Sequence, residues 1–164
     1  MTFLSIVLIL AALLCALVAG FLFAFAVVVM PGIGRLGDDG FIRGFQVMDG
    51  VIQRNQPVFM LVWVGSVAAV VSAVAMGIGE LDAVGHVLLI LAATLWIFGV
   101  QLPTLAINVP LNNRLQRVDV GQASSAEHKA ARAAFEARWN RWNVIRTMLA
   151  CVATLLLLVL LVRL

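Results

Sequence analysis

Between Phe3 and Met30 the chain passes through 28 residues without one charged side chain. As a helix this run would be about 42 Å long, more than the ~30 Å hydrocarbon core of a bilayer, so it must tilt or protrude. Three further apolar blocks follow, from Pro57 to about Gly79, from about Val84 to Pro110, and from about Asn143 to Val162. These are continuous blocks, not alternations, and each is long enough to span. With 63% of residues hydrophobic and 12% charged, no soluble core could dispose of the apolar surface. The expectation is an all-α membrane protein, one domain over residues 1–164 built as a bundle of four transmembrane helices.

Two competing readings of the first run fail. A cleavable signal peptide would carry Lys or Arg at its start and a much shorter apolar region. A lipoprotein site at Cys15 would follow small residues, whereas Leu13-Leu14 precede it. Cys15 and Cys151 are single cysteines deep in apolar runs, which suits small buried hydrophobes and not a thiol-oxidoreductase. His86 and His128 stand alone, with no second ligand at i+3 or i+4, so neither haem nor another metal site is expected.

Residues 32–56 differ in kind. Phe41, Phe45, Met48, Val51 and Ile52 recur at helical spacing among Arg43, Gln46, Asp49, Gln53 and Arg54. This pattern predicts an additional amphipathic helix between the first two spans, lying at the interface or packed under the bundle. Asp38-Asp39 would cap it, and Pro57 would open the next helix. Pro31-Gly32 is expected to stop the first span, and Pro103 to kink the third. Val118 to Ala126 reads as a polar loop, and Ala130 to Asn143 as helix continuous with the fourth span.

The basic residues are placed unevenly. Arg35, Arg43 and Arg54 lie in the first connection, and Arg114, Arg117, Lys129, Arg132, Arg138, Arg141 and Arg146 in or beside the third. The second connection has none, and Arg163 stands alone on the other side. By the positive-inside rule, connections 31–56 and 111–142 are cytoplasmic in a cell (inner) membrane and both termini lie outside. The net charge of +3 therefore concerns topology and anionic lipid, not nucleic acid.

Polar residues within the apolar blocks fall into two stripes. Gln101, Thr104, Asn108 and Asn112 follow at i, i+3, i+7 and i+11, and Glu136, Trp139, Asn143 and Arg146 at i, i+3, i+7 and i+10. Antiparallel neighbours would bring both stripes to the same depth. Unsatisfied amides facing lipid cost several kcal/mol, so the stripes should face protein or a cavity. An arginine as deep as Arg146 is a functional candidate, with Asn108 or Glu136 as its expected partner. A plainer role stays open: asparagines that only hold helices together, Trp139 and Trp142 as an interfacial belt, and Arg146 snorkelling to headgroups.

Val29-Met30-Pro31, Asn55-Gln56-Pro57-Val58-Phe59, Asn108-Val109-Pro110-Leu111-Asn112-Asn113 and Trp139-Asn140-Arg141-Trp142-Asn143-Val144-Ile145-Arg146-Thr147 together resemble the anthrone oxygenase family. That family comprises small four-helix membrane proteins, most of whose bacterial members have no assigned function. The resemblance implies oxidation of an anthrone-like, polyketide- or quinone-like planar molecule by dioxygen without a cofactor. For such chemistry Asn108, Asn112, Asn143 and Arg146 would donate to the developing oxyanion. Trp139, Trp142 and Phe25 would stack on the rings, Gln101 and Thr104 would complete the binding surface, and Glu136 is the carboxylate with reach to act as base. The alternative is a non-catalytic membrane protein that binds a lipid or quinone-like ligand, or a subunit of a larger complex. Transport is a weaker third reading, because four spans without an internal repeat offer little for alternating access unless a homo-oligomer forms.

Overall fold

Among the described residues, the four longest helices begin where a side chain accepts from one of the first amides. A computed structural model describes residues 2–164, all of whose regular elements are helical. Thr2 accepts from the Ser5 amide and opens α1 (Phe3–Ile33). Gln56, followed by Pro57, opens α3 (Pro57–Gly77), and Asp82 opens α4 (Ala83–Gln116). Ser124 and Glu127 form a reciprocal capping box at the start of α5 (Ser125–Arg163). The amphipathic α2 (Asp38–Gln53) begins differently from expectation. Its N-cap is Gly37, which has no side-chain oxygen, and Asp38 and Asp39 lie inside the first turn, where they meet the helix dipole instead of capping it. Asn55 then takes a left-handed conformation (φ 55°), which asparagine tolerates, and turns the chain into α3.

Pro57 sits in the first turn of α3 as expected, but Pro31 does not stop the first span. Helix α1 runs through Pro31 to Ile33, and α4 runs through Pro103 and Pro110 to Gln116. In each case a wider π turn ends two residues before the proline, at Phe25–Val29, Leu95–Gln101 and Thr104–Asn108. The amides of Met30, Leu102 and Val109 accordingly reach back five residues, to the carbonyls of Phe25, Ile97 and Thr104. A proline lacks an amide hydrogen, and its ring collides with the carbonyl four residues earlier. The extra residue of a π turn accommodates both defects without ending the helix.

Among the described residues, four helices are long and apolar enough to cross a membrane, and α2 is the fifth. Helix α1 lies against both α3 and α5. Its Leu8, Ala11, Cys15 and Val18 form one core with Ala73, Trp96, Ala150 and Leu157, all nearly or fully buried. Small residues at this seam let the backbones approach, and packing is what drives helix association in lipid. Large side chains such as Leu61, Phe98, Leu105 and Leu155 are left exposed on the outer face, where a bilayer would cover them.

A second core forms at the other end, where α2 packs under the bundle. Phe41, Ile42 and Phe45 meet Leu111 and Leu115 of α4 and Phe135 and Trp139 of α5. Polar ties fix it there. Gln46 donates from Nε2 to the carbonyls of Leu115 and Val118, both at 2.9 Å, and closes the end of α4. Arg132 of α5 donates to the carbonyls of Gly34 and Leu36 and pairs with Asp38.

Candidate functional site

The two cores do not meet everywhere. Between them lies a cavity of about 370 Å³, bounded by residues of all five helices. Helix α3 packs on α1 and on the Ala83–Thr94 part of α4, but the helices part beyond it. The resulting cleft has Phe59, Met60 and Trp63 on α3 and Leu105 and Val109 on α4, and it lies toward the outer face of the bundle, where Leu105 is exposed.

The walls are aromatic. Phe25 stands 4.9 Å from Phe21 and 5.8 Å from Trp139, ring centre to ring centre, and Phe59 stacks on Trp63 at 5.4 Å. Flat side chains with few rotamers make a slot suited to a flat guest.

At one end stands Arg146, 3% exposed. Its guanidinium donates to Thr104 Oγ1 at 2.7 Å and to Asn143 Oδ1 at 3.0 Å, and lies 5.9 Å from the centre of the Trp139 ring. Asn143 in turn donates to the Leu22 carbonyl, beside the π turn of α1. Among the described residues no carboxylate pairs with Arg146; the ion pairs are Arg132 with Asp38 and Glu136, and Arg163 with Asp82. Arg146 Nε and Asn108 Oδ1 are buried without a hydrogen-bond partner. A buried charge left unpaired is costly by several kcal/mol, which is why such a group marks a site more often than a scaffold.

Asp49 of α2 stands at the other end, 4% exposed and also lining the cavity. It accepts from Asn112 Nδ2 at 2.8 Å, Gln116 Nε2 at 2.9 Å and Gln53 Nε2 at 2.7 Å. All three donors are neutral amides. Asn112 also accepts from the Trp139 indole at 2.7 Å, and Asn108 reaches the Trp139 carbonyl at 3.5 Å. One wall of the cavity is thus a polar ladder from the carboxylate to the guanidinium, facing aromatic rings.

Most of the residues singled out from the sequence meet here: Arg146, Asn108, Thr104, Asn112, Asn143, Trp139 and Phe25 all line the cavity. Three do not. Glu136 pairs with Arg132 at 2.7 Å and borders a separate surface pocket with Pro31 and Arg35. Trp142 lies in an apolar groove with Phe98, Leu102 and Ile145. At about 100° per residue these two stand roughly 60° to either side of Trp139, so they flank the stripe instead of belonging to it. Gln101 is buried but does not line the cavity. The expected partners of Arg146 are also corrected, from Asn108 or Glu136 to Thr104 and Asn143.

Asp49 was not among the expected site residues, and one signal pointed to it. It follows Phe41 and Phe45 at four-residue steps, on the apolar stripe of an amphipathic helix, where a carboxylate needs a reason. Phe59 and Trp63 carry no such signal, since aromatic residues are ordinary in membrane spans.

No curated protein and no solved structure matches the chain. The sequence profile of the anthrone oxygenase family does match, over residues 49–156, about two thirds of the length. The matched stretch takes in every charged or amide-bearing residue of the cavity, from Asp49 to Arg146. The chain belongs to the anthrone oxygenase family.

Proposed function

We propose that the protein is a membrane-embedded oxygenase of a planar lipophilic substrate, polyketide- or quinone-like, using dioxygen and no cofactor. The observation that carries this reading is an arginine without a counter-anion inside an aromatic slot. Such a group supplies what a ring system bearing a carbonyl or phenolic oxygen requires. The rings lie between Phe25, Phe59 and Trp139, and the oxygen sits against Arg146, where negative charge gathers once the substrate loses a proton. In the overall reaction a ring methylene and dioxygen give a ring carbonyl and water, a four-electron oxidation balanced by full reduction of dioxygen. A lipophilic substrate would reach the slot from the bilayer, through the cleft between α3 and α4.

Trp63 and Trp139 line the slot and report on occupancy. With the protein in lipid nanodiscs, the dihydroxyanthrone dithranol should quench tryptophan fluorescence saturably. It should also be consumed, with oxygen uptake, well above its spontaneous rate. Saturable binding without oxygen uptake would leave the non-catalytic ligand-binding reading standing, and absence of binding would remove both.

The excess of Arg and Lys at the α2 end supports placing that end in the cytoplasm, with the Gly79 turn outside the cell membrane. Single cysteines at Ala126 and Gly79, both exposed, should then label from opposite sides with an impermeant maleimide. Labelling from the same side would overturn the topology.

A further inference from the structure

We infer that Asp49 is the proton acceptor of the site, which restricts the substrate to a carbon acid. This inference rests on the functional reading above and deepens it. A slot holding only a cation would bind any planar molecule with a polarised oxygen. This slot also contains a carboxylate, the only one that lines it among the described residues, and Glu136 is turned away and occupied by Arg132.

Three features suit Asp49 to the role. It is nearly buried, so bulk water does not reach its oxygens freely. Its partners Asn112, Gln116 and Gln53 orient both oxygens and leave the negative charge uncompensated. It also stands apart from Arg146. Asp49 binds at the level of Asn112 and Arg146 at the level of Thr104, eight residues along α4, on the order of 12 Å by helix rise before the side chains lean inward. Side by side, the two charges would neutralise each other. Separated across an aromatic slot, they polarise whatever lies between them.

The step is a proton transfer. The C–H bond of a ring methylene breaks, its proton passes to Asp49 Oδ, and its electron pair enters the ring system. The charge emerges on the ring oxygen held by Arg146. The substrate must therefore carry an acidic methylene conjugated with a carbonyl or phenol at the opposite edge. A quinone or an ordinary phenol would bind without reacting. The resulting electron-rich anion is the species that reacts with dioxygen.

Hydrogen–deuterium exchange without oxygen isolates this step. Under argon in deuterated buffer, wild-type protein in nanodiscs should speed deuterium incorporation at the dithranol methylene. Asp49→Asn should slow that incorporation by about 100- to 10,000-fold, the range of a lost general base. Dithranol binding, read by tryptophan quenching, should persist in the variant. In Asp49→Ala, added formate should restore part of the rate, which a purely structural role of Asp49 would not permit. Unimpaired exchange in Asp49→Asn would overturn the assignment. So would a wild type that binds dithranol and consumes oxygen yet gives no anaerobic exchange, and in that case the oxygenase reading survives. A wild type that neither binds nor oxidises dithranol overturns both.

Discussion

Arg146→Met is expected to lower turnover of dithranol by about 100- to 1,000-fold, the usual consequence of removing a donor from a developing oxyanion. Its melting temperature should change little, because opposing effects nearly cancel. Removing a buried, uncompensated charge relieves a desolvation penalty on the order of several kcal/mol, part of which the hydrogen bonds of the guanidinium already offset. Against that, Asn143 Oδ1 loses its donor, a loss of about 1–3 kcal/mol for a buried acceptor. Thr104 is less affected, since its hydroxyl also donates to the Val100 carbonyl. Arg146→Lys keeps the charge and loses the planar fork that holds Thr104 and Asn143 together, so it should rescue only a small part of the turnover. Full activity in Arg146→Lys, or collapse of the fold in Arg146→Met, would return the residue to a structural role.

Trp96→Ala should be the most destabilising single truncation in the apolar core. Trp96 is fully buried, the largest of the fully buried side chains. Truncations of this kind cost about 3–5 kcal/mol in water-soluble proteins, part of it from transfer out of water. In a bilayer the alternative surroundings are lipid, so lost dispersion contacts and the residual cavity dominate, and about 3 kcal/mol is the expected loss. Trp96→Phe should behave quite differently. The indole Nε1 has no hydrogen-bond partner, and an orphaned buried donor is itself worth about 1–3 kcal/mol of destabilisation. Phenylalanine removes that donor while keeping most of the packing, so its melting temperature in detergent should stay near that of the wild type. If Trp96→Phe is as damaging as Trp96→Ala, the indole is bonded and the argument for an orphaned donor fails.

What the sequence determines here follows from the solvent. Backbone amides in hydrocarbon must be satisfied within their own segment, so long uncharged blocks have one regular solution, and four of them give four spans. The amphipathic α2 was legible for a related reason: its apolar face recurs at the helical period. The polar ladder on α4 and α5 was legible as well, because amides and a guanidinium on one stripe cannot face lipid.

Local spacing could not settle which flank of a stripe is used. Glu136 and Trp142 lie within a fraction of a turn of Trp139, and only the packing of α5 turned the first toward Arg132 and the second into an outer groove. Nor could proline chemistry alone distinguish a stop, a kink and a π turn. A stop and a π turn both accommodate the missing amide, and at Pro31, Pro103 and Pro110 the helices continue through π turns. Asp49 is the clearest case. In the sequence it stands 97 residues from Arg146, on a helix that is not a span. Only the docking of α2 beneath the bundle, through Phe41, Phe45 and Gln46, puts that carboxylate into the same cavity as the guanidinium. Helix type is a local matter of backbone satisfaction, whereas a site built from opposite charges on different helices exists only once long-range packing holds them apart at a chosen distance.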